Sequence, residues 1–77
     1  MEKIMIPFAE RLQTARQRKH LTQKEVAAYL EMTERSYQHY EGNRRRPNYE
    51  VLVTLANYFD VTTDYLLGRT DGPDGGG

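Results

Sequence analysis

The sequence predicts an all-α fold of five short helices within 77 residues. Three observations support it. Apolar residues recur at spacings of three and four in successive segments, the period of a helix with one buried face. Four segments begin with a side chain suited to capping free backbone amides, namely Thr22, Thr33, Asn48 and Thr62. There is no cysteine, so neither a disulfide framework nor a thiolate metal site can hold the chain together, and packed helices must do so.

The first helix is predicted from Phe8, Leu12 and Ala15, with Glu10, Arg11, Gln13, Arg16 and Arg18 on the polar side. It ends near Lys19 and His20, whose basic side chains suit the negative end of the helix dipole. Leu21 then plugs the core from the connecting loop. Thr22 opens the second helix, and Glu25 three residues on completes a capping box. Val26, Ala27 and Leu30 form its apolar face, and the helix is expected to stop around Glu31. Met32 anchors the turn.

Thr33 caps a third helix with Tyr37, Tyr40 and Ser36 facing inward and Glu34, Arg35, Gln38 and His39 outward. It ends at Gly42-Asn43, either of which tolerates a left-handed cap. Arg44, Arg45 and Arg46 form a loop closed by Pro47, which favours an extended Arg46. Asn48 caps a fourth helix over Tyr49–Phe59, striped by Val51, Leu52, Leu55, Ala56 and Phe59. Val61 plugs the next loop, and Thr62 caps a short fifth helix with Asp64, Tyr65, Leu66 and Leu67. Gly68 ends it. Residues 1–7 read as an N-terminal extension, 8–68 as one domain, and the Gly/Asp/Pro-rich 69–77 as a flexible tail or truncated linker.

A chain this short buries only about 60% of its unfolded surface, so a substrate-enclosing pocket is not expected. No enzymatic constellation is present: no paired carboxylates in a plausible pocket, no phosphate-binding glycine loop and no defensible Ser-His pair. His20 and His39 are too far apart in sequence for a metal site, and no cofactor or small-molecule motif is evident. No apolar run nears the roughly 18 residues of a membrane span, and MEKIMIPF is too short and too weakly apolar for a signal peptide. A cytoplasmic protein is therefore expected.

The zero net charge hides an asymmetry. Residues 10–46 carry nine Lys/Arg against five Asp/Glu, whereas residues 47–77 carry one against five. A basic front half with three consecutive arginines beside a polar helix is the pattern of a localised nucleic-acid footprint. Arg35 can donate twice to a guanine, Glu34 can accept from a cytosine amino group, Gln38 can pair with adenine, and His39 can donate to guanine or phosphate. Arg44, Arg45 and Arg46 suit the phosphate strand. Gln23, at the amide-rich start of the second helix, suits a phosphate too, and Lys24 adds to that surface.

The ordered set Arg16, Leu21-Thr22-Gln23, Val26-Ala27, Leu30, Met32-Thr33, Tyr37, Tyr40-Glu41, the basic loop ending in Pro47, Leu52, Leu55-Ala56, Phe59, Val61 and Leu66-Leu67 resembles the Cro/phage-repressor (Xre-type) helix-turn-helix family over roughly residues 8–68. The resemblance implies a repressor-like DNA-binding domain with the helix-turn-helix at helices two and three. It implies base contacts from Glu34, Arg35 and His39, with Gln38 a weaker candidate, and from Gln23 both a contact to the DNA backbone and a brace for the recognition helix. It also implies a structural ion pair between Arg16 and Glu41. Three positions depart from the family pattern: Glu31 stands where the turn usually has glycine, His20 where glycine or asparagine is common, and Gly42-Asn43 inverts the usual order.

The function expected is a sequence-specific transcriptional regulator, a repressor that binds a palindromic double-stranded DNA operator as a homodimer. One recognition helix reads too few base pairs alone. Tyr58, Tyr65 and Leu66 are the expected dimer surface. The alternative is a protein-interaction module of the same fold, antitoxin-like, working through Tyr29, Tyr49, Tyr58 and Tyr65.

Overall fold

The computed structural model describes residues 6–72; the N-terminal residues 1–5 of the predicted extension and residues 73–77 of the predicted tail lie outside the described residues. Five α-helices follow in order: α1 (Phe8–Arg18), α2 (Gln23–Tyr29), α3 (Glu34–Glu41), α4 (Tyr49–Tyr58) and α5 (Thr63–Leu66). The described residues contain no strand.

The helix starts follow from side-chain chemistry. Thr22, Thr33, Asn48 and Thr62 each accept a hydrogen bond from the backbone N–H three residues on. At Thr22 the box closes in both directions, with Glu25 Oε1 accepting the Thr22 N–H at 2.8 Å. Those bonds hold the Glu25 carboxyl below its usual range. The first helix has only Pro7 before it, and no side-chain cap.

The helix ends share one device. After each helix the chain makes paired backwards hydrogen bonds: His20 to Gln17 and Leu21 to Arg16, Glu31 to Ala28 and Met32 to Ala27, Asn43 to Tyr40 and Arg44 to His39, Asp60 to Asn57 and Val61 to Ala56, Gly68 to Tyr65 and Arg69 to Asp64. This double bond is the Schellman closure, and it requires a left-handed residue. That residue is His20, Glu31, Asn43, Asp60 or Gly68, with φ between 57° and 78°. The next residue is Leu21, Met32 or Val61 in three of the five turns, and each packs against the core. The plugs read from the sequence are thus the apolar partners of the closures. Helix α2 stops at Tyr29, earlier than expected, because the closure already needs Leu30 and Glu31.

The core is assembled from all five helices: Phe8, Leu12 and Ala15; Val26 and Ala27; Tyr37 and Tyr40; Leu55 and Ala56, with Phe59 just beyond; Tyr65 and Leu66. Ala27 gives α3 room to approach α2. Tyr37 and Tyr40 meet edge to face, ring centroids 6.2 Å apart, a favoured aromatic geometry. Ser36 is only half-buried and accepts a hydrogen bond from the Thr33 hydroxyl. Two residues expected on a dimer surface belong inside. Tyr65 is 6% exposed and Leu66 fully buried. The Arg11 guanidinium lies 4.5 Å over the Tyr65 ring and donates to the Tyr65 carbonyl at 3.1 Å and to the Thr70 carbonyl at 2.7 Å. The beginning of the predicted tail is therefore held against α1.

One carboxylate joins the three helices that matter for the site. Glu41 Oε2 accepts from Arg16 Nε at 2.6 Å and from the Tyr37 hydroxyl at 2.6 Å; Oε1 accepts from Gln23 Nε2 at 3.0 Å and Arg16 Nη2 at 3.2 Å. Arg16 Nη1 also donates to the Leu21 carbonyl at 2.8 Å, fixing the α1–α2 turn. The side chains of Arg16 and Glu41 are 11% and 4% exposed. Burial alone would raise the Glu41 carboxyl, but hydrogen bonds from Arg16, Tyr37 and Gln23 outweigh it and hold the group below 4.5. Burial and the same carboxylate push the Tyr37 phenol well above its usual range.

Two outcomes follow. Glu31→Gly removes the cost of a side chain at a left-handed position and is expected to stabilise the domain by about 1 kcal/mol, read as a rise in Tm; an unchanged or lower Tm counts against the strain argument. Glu41→Gln leaves Arg16 without its counter-charge and should cost about 3 kcal/mol at pH 7. Because the folded carboxyl titrates below the unfolded one, its contribution is present above the unfolded value near 4.5 and fades as pH falls through the folded value. Denaturation series from pH 7 to 3 should therefore show the gap between wild type and E41Q narrowing below about 4.5.

Candidate nucleic-acid interface

The closure at Asn43 determines what lies beside α3. With Asn43 left-handed, the backbone N–H groups of both Arg44 and Arg45 donate to the His39 carbonyl, at 2.9 and 3.2 Å. The start of the arginine loop is thus fastened to the last turn of α3. Gly42 has no side chain, and a Cβ there would sit 3.2 Å from the Gln38 carbonyl oxygen. Beside it lies a shallow cleft lined by Arg35, Gln38, His39, Gly42 and Arg44. Four of the expected contact residues therefore border one concavity. Glu34 is exposed but not part of the lining.

Arg45 and Arg46 are exposed, as is Lys24 on α2. Arg46 faces a different hollow, bordered by Ile6, Phe8, Asn43, Pro47, Leu52 and Leu67. None of the arginines in the loop makes a salt bridge among the described residues, so their charge is uncompensated locally. Exposed basic side chains with no internal partner suit a polyanion.

Gln23 is half-buried, and its amide is engaged on both sides. Nε2 donates to Glu41, and Oε1 accepts from Gln38 Nε2 at 3.2 Å. It thus braces α3 from the first turn of α2, and its second N–H stays open to an external acceptor. The pairing of Gln23 with Gln38 was not legible in the sequence, since the two are 15 residues apart in different helices. Arg11 was missed for the same reason; its carbonyl partners lie 54 and 59 residues away.

Away from this face, Tyr58 is half-buried and stacks on Tyr29, ring centroids 3.9 Å apart and nearly parallel. Of the three residues expected at a dimer contact, only Tyr58 retains an accessible edge. Among the described residues no group of His, Asp or Glu could hold a metal ion, and no helix is long and apolar enough to cross a membrane.

Comparison with known proteins agrees with this geometry. A helix-turn-helix family model matches residues 12–66. The HTH-type transcriptional regulator ImmR of Bacillus subtilis is 40% identical over 64 residues, covering 83% of this chain and 50% of that protein. The HTH-type transcriptional regulator AnsR of the same organism is 40% identical over 60 residues, covering 78% and 52%. The uncharacterised HTH-type regulator YobD, also from Bacillus subtilis, is 37% identical over 67 residues, covering 87% and 60%. The chain thus spans 50–60% of the length of these relatives. With its capped α2 and α3 set by one buried carboxylate and the family model running from α1 into α5, the chain belongs to the Cro/C1-type (Xre or phage-repressor) helix-turn-helix family.

Proposed function

We propose that this chain is a sequence-specific DNA-binding unit of a transcriptional regulator, a repressor that acts as a homodimer on a palindromic operator. The observation that carries the reading is the single cleft of Arg35, Gln38, His39 and Arg44 on a helix held rigidly from behind by Glu41. A rigid helix with a polar outer face can enter the major groove and present donors and acceptors to base edges. In this reading Glu34, Arg35, Gln38 and His39 meet bases. Gln23, Lys24, Arg44, Arg45 and Arg46 meet phosphates, with the second Gln23 N–H and the α2 amides directed at the backbone. Glu34 also repels phosphate and penalises wrong registers. The relatives named as transcriptional regulators support the class of activity.

Dimerisation rests on reading length. One α3 covers only a few base pairs, and two related by a two-fold axis read half-sites about one turn, ~34 Å, apart. The accessible edge of Tyr58, stacked on Tyr29, is the remaining candidate contact from the expected set. A second reading, an interaction module of the same fold, is favoured by one observation: Tyr29 and Tyr49 are 55% and 85% exposed, and tyrosine is a frequent interface anchor.

Selection from a random DNA pool is expected to enrich a palindrome with half-site centres about ten base pairs apart. Binding should weaken steeply with salt, and replacing Arg44, Arg45 and Arg46 together with alanine removes three contacts from each protomer, so it should lower the magnitude of the dimer's log–log salt slope by about 5. Unaltered DNA affinity in that triple variant would sink the DNA reading and promote the interaction module.

A further inference from the structure

We propose that the chain pairs with a second copy of itself at the start of α4, where Tyr49 of each copy enters an apolar hollow of the other. This pairing rests on the DNA-binding reading and deepens it by naming the surface that joins the two halves of the dimer.

The start of α4 carries apolar area that its own fold does not use. Tyr49 is 85% exposed and Val53 48%, and residues four apart share one helix face. Tyr29 and Tyr58 cover each other by stacking, but among the described residues no ring stacks on Tyr49. Leu52, next to Val53, and Pro47, just before α4, help to wall an open hollow of about 150 Å³. Ile6, Phe8 and Leu67 complete its apolar lining, and Arg46 stands at its edge. An apolar cavity of that volume holds a single benzene ring, and a drug-sized ligand needs roughly 300–1,000 Å³. The hollow therefore suits one aromatic side chain. Tyr49 does not line it, so it is free to fill the hollow of another copy.

A second copy is the occupant that the chemistry favours. A two-fold contact uses the same patch on both partners, so a projecting group and the hollow that receives it must lie close together on one chain. Tyr49 and the hollow meet that condition through Pro47 and Leu52. Charge agrees as well. Glu50 follows Tyr49, is exposed and makes no salt bridge among the described residues, and the same holds for Arg46. When Tyr49 enters the hollow, Glu50 comes with it towards Arg46. The guanidinium has donors enough for that carboxylate and a phosphate oxygen together. The hollow shares no lining residue with the cleft of Arg35 and His39, but Asn43, just past α3, borders it. Pairing here sets two recognition helices near the two-fold axis and leaves their outer faces open. A patch of so few side chains falls short of the roughly 20–30 residues a side of a standard interface, so the free chain pairs weakly and the contact is completed on DNA.

The first test needs no DNA. Tyr49 is replaced by the photoreactive residue p-benzoylphenylalanine, and the concentrated chain is irradiated. An adduct on Ile6, Phe8, Leu52 or Leu67 of a second copy is expected; no dimer adduct, or one on Tyr29 or Tyr58, overturns the inference. The second test measures cooperativity, the affinity for the full palindrome relative to two independent half-sites, so that a change in phosphate contact cancels. Tyr49→Ala should lower cooperativity about tenfold and leave half-site affinity unchanged. Glu50→Arg should lower it by a similar factor by setting like charges together, and adding Arg46→Glu should restore most of it. Unchanged cooperativity in Tyr49→Ala overturns the inference, the more directly if Tyr58→Ala abolishes it. Wild type that binds neither the palindrome nor a half-site overturns the DNA reading, while the adduct still decides the pairing.

Discussion

The buried carboxylate of Glu41 is the constraint on which the rest of the arrangement depends. It takes donors from Arg16 on α1, Gln23 on α2 and Tyr37 on α3, so it sets three helices relative to one another with four hydrogen bonds. A half-satisfied buried charge would be worse than none, because an ion removed from water loses several kcal/mol of solvation. Here both oxygens have two donors each. The consequence is geometric rather than simply stabilising: α3 cannot rotate about its axis without breaking bonds to both other helices. A helix whose outer face must meet a partner in one register needs that kind of restraint on its inner face.

The division of labour within α3 follows. Tyr37, Tyr40 and Glu41 belong to the interior, while Arg35, Gln38 and His39 border the cleft. Eight residues serve both purposes because a helix offers distinct faces at its 3.6-residue period. Gln38 stands between them: exposed on one side, and joined through Gln23 to the buried network on the other.

Much of this was legible in the chain because it is written in local rules. Caps at Thr22, Thr33, Asn48 and Thr62 depend on contacts three residues apart, and the apolar stripes depend on helical period. The plugs at Leu21, Met32 and Val61 follow from where helices must stop. What escaped is non-local or runs against propensity. Left-handed Asp60 occupies a conformation that favours glycine with nothing in the sequence to mark it, whereas His20 and Glu31 show only as departures from the glycine common in the family. Residue type does not say which face an apolar side chain takes in a four-residue helix; burial of Tyr65 and Leu66, with Arg11 folded over the Tyr65 ring, turns both inward. The arginine run was visible, but not that Arg46 points to another hollow than Arg44. Glu41 was recognisable as a partner of Arg16 through family resemblance, though not as a four-donor hub.

The left-handed turn at Asn43 also bears on the thermodynamics of meeting a polyanion. Loops that bind phosphate often order only on contact, and that ordering is subtracted from the affinity. Here the main chain of Arg44 and Arg45 is already hydrogen-bonded to the His39 carbonyl, so their backbone torsions are fixed beforehand. Only side-chain freedom is left to lose. The heat and entropy of association at this rim should therefore be dominated by released counterions and side-chain rotamers, with little contribution from folding of the loop itself.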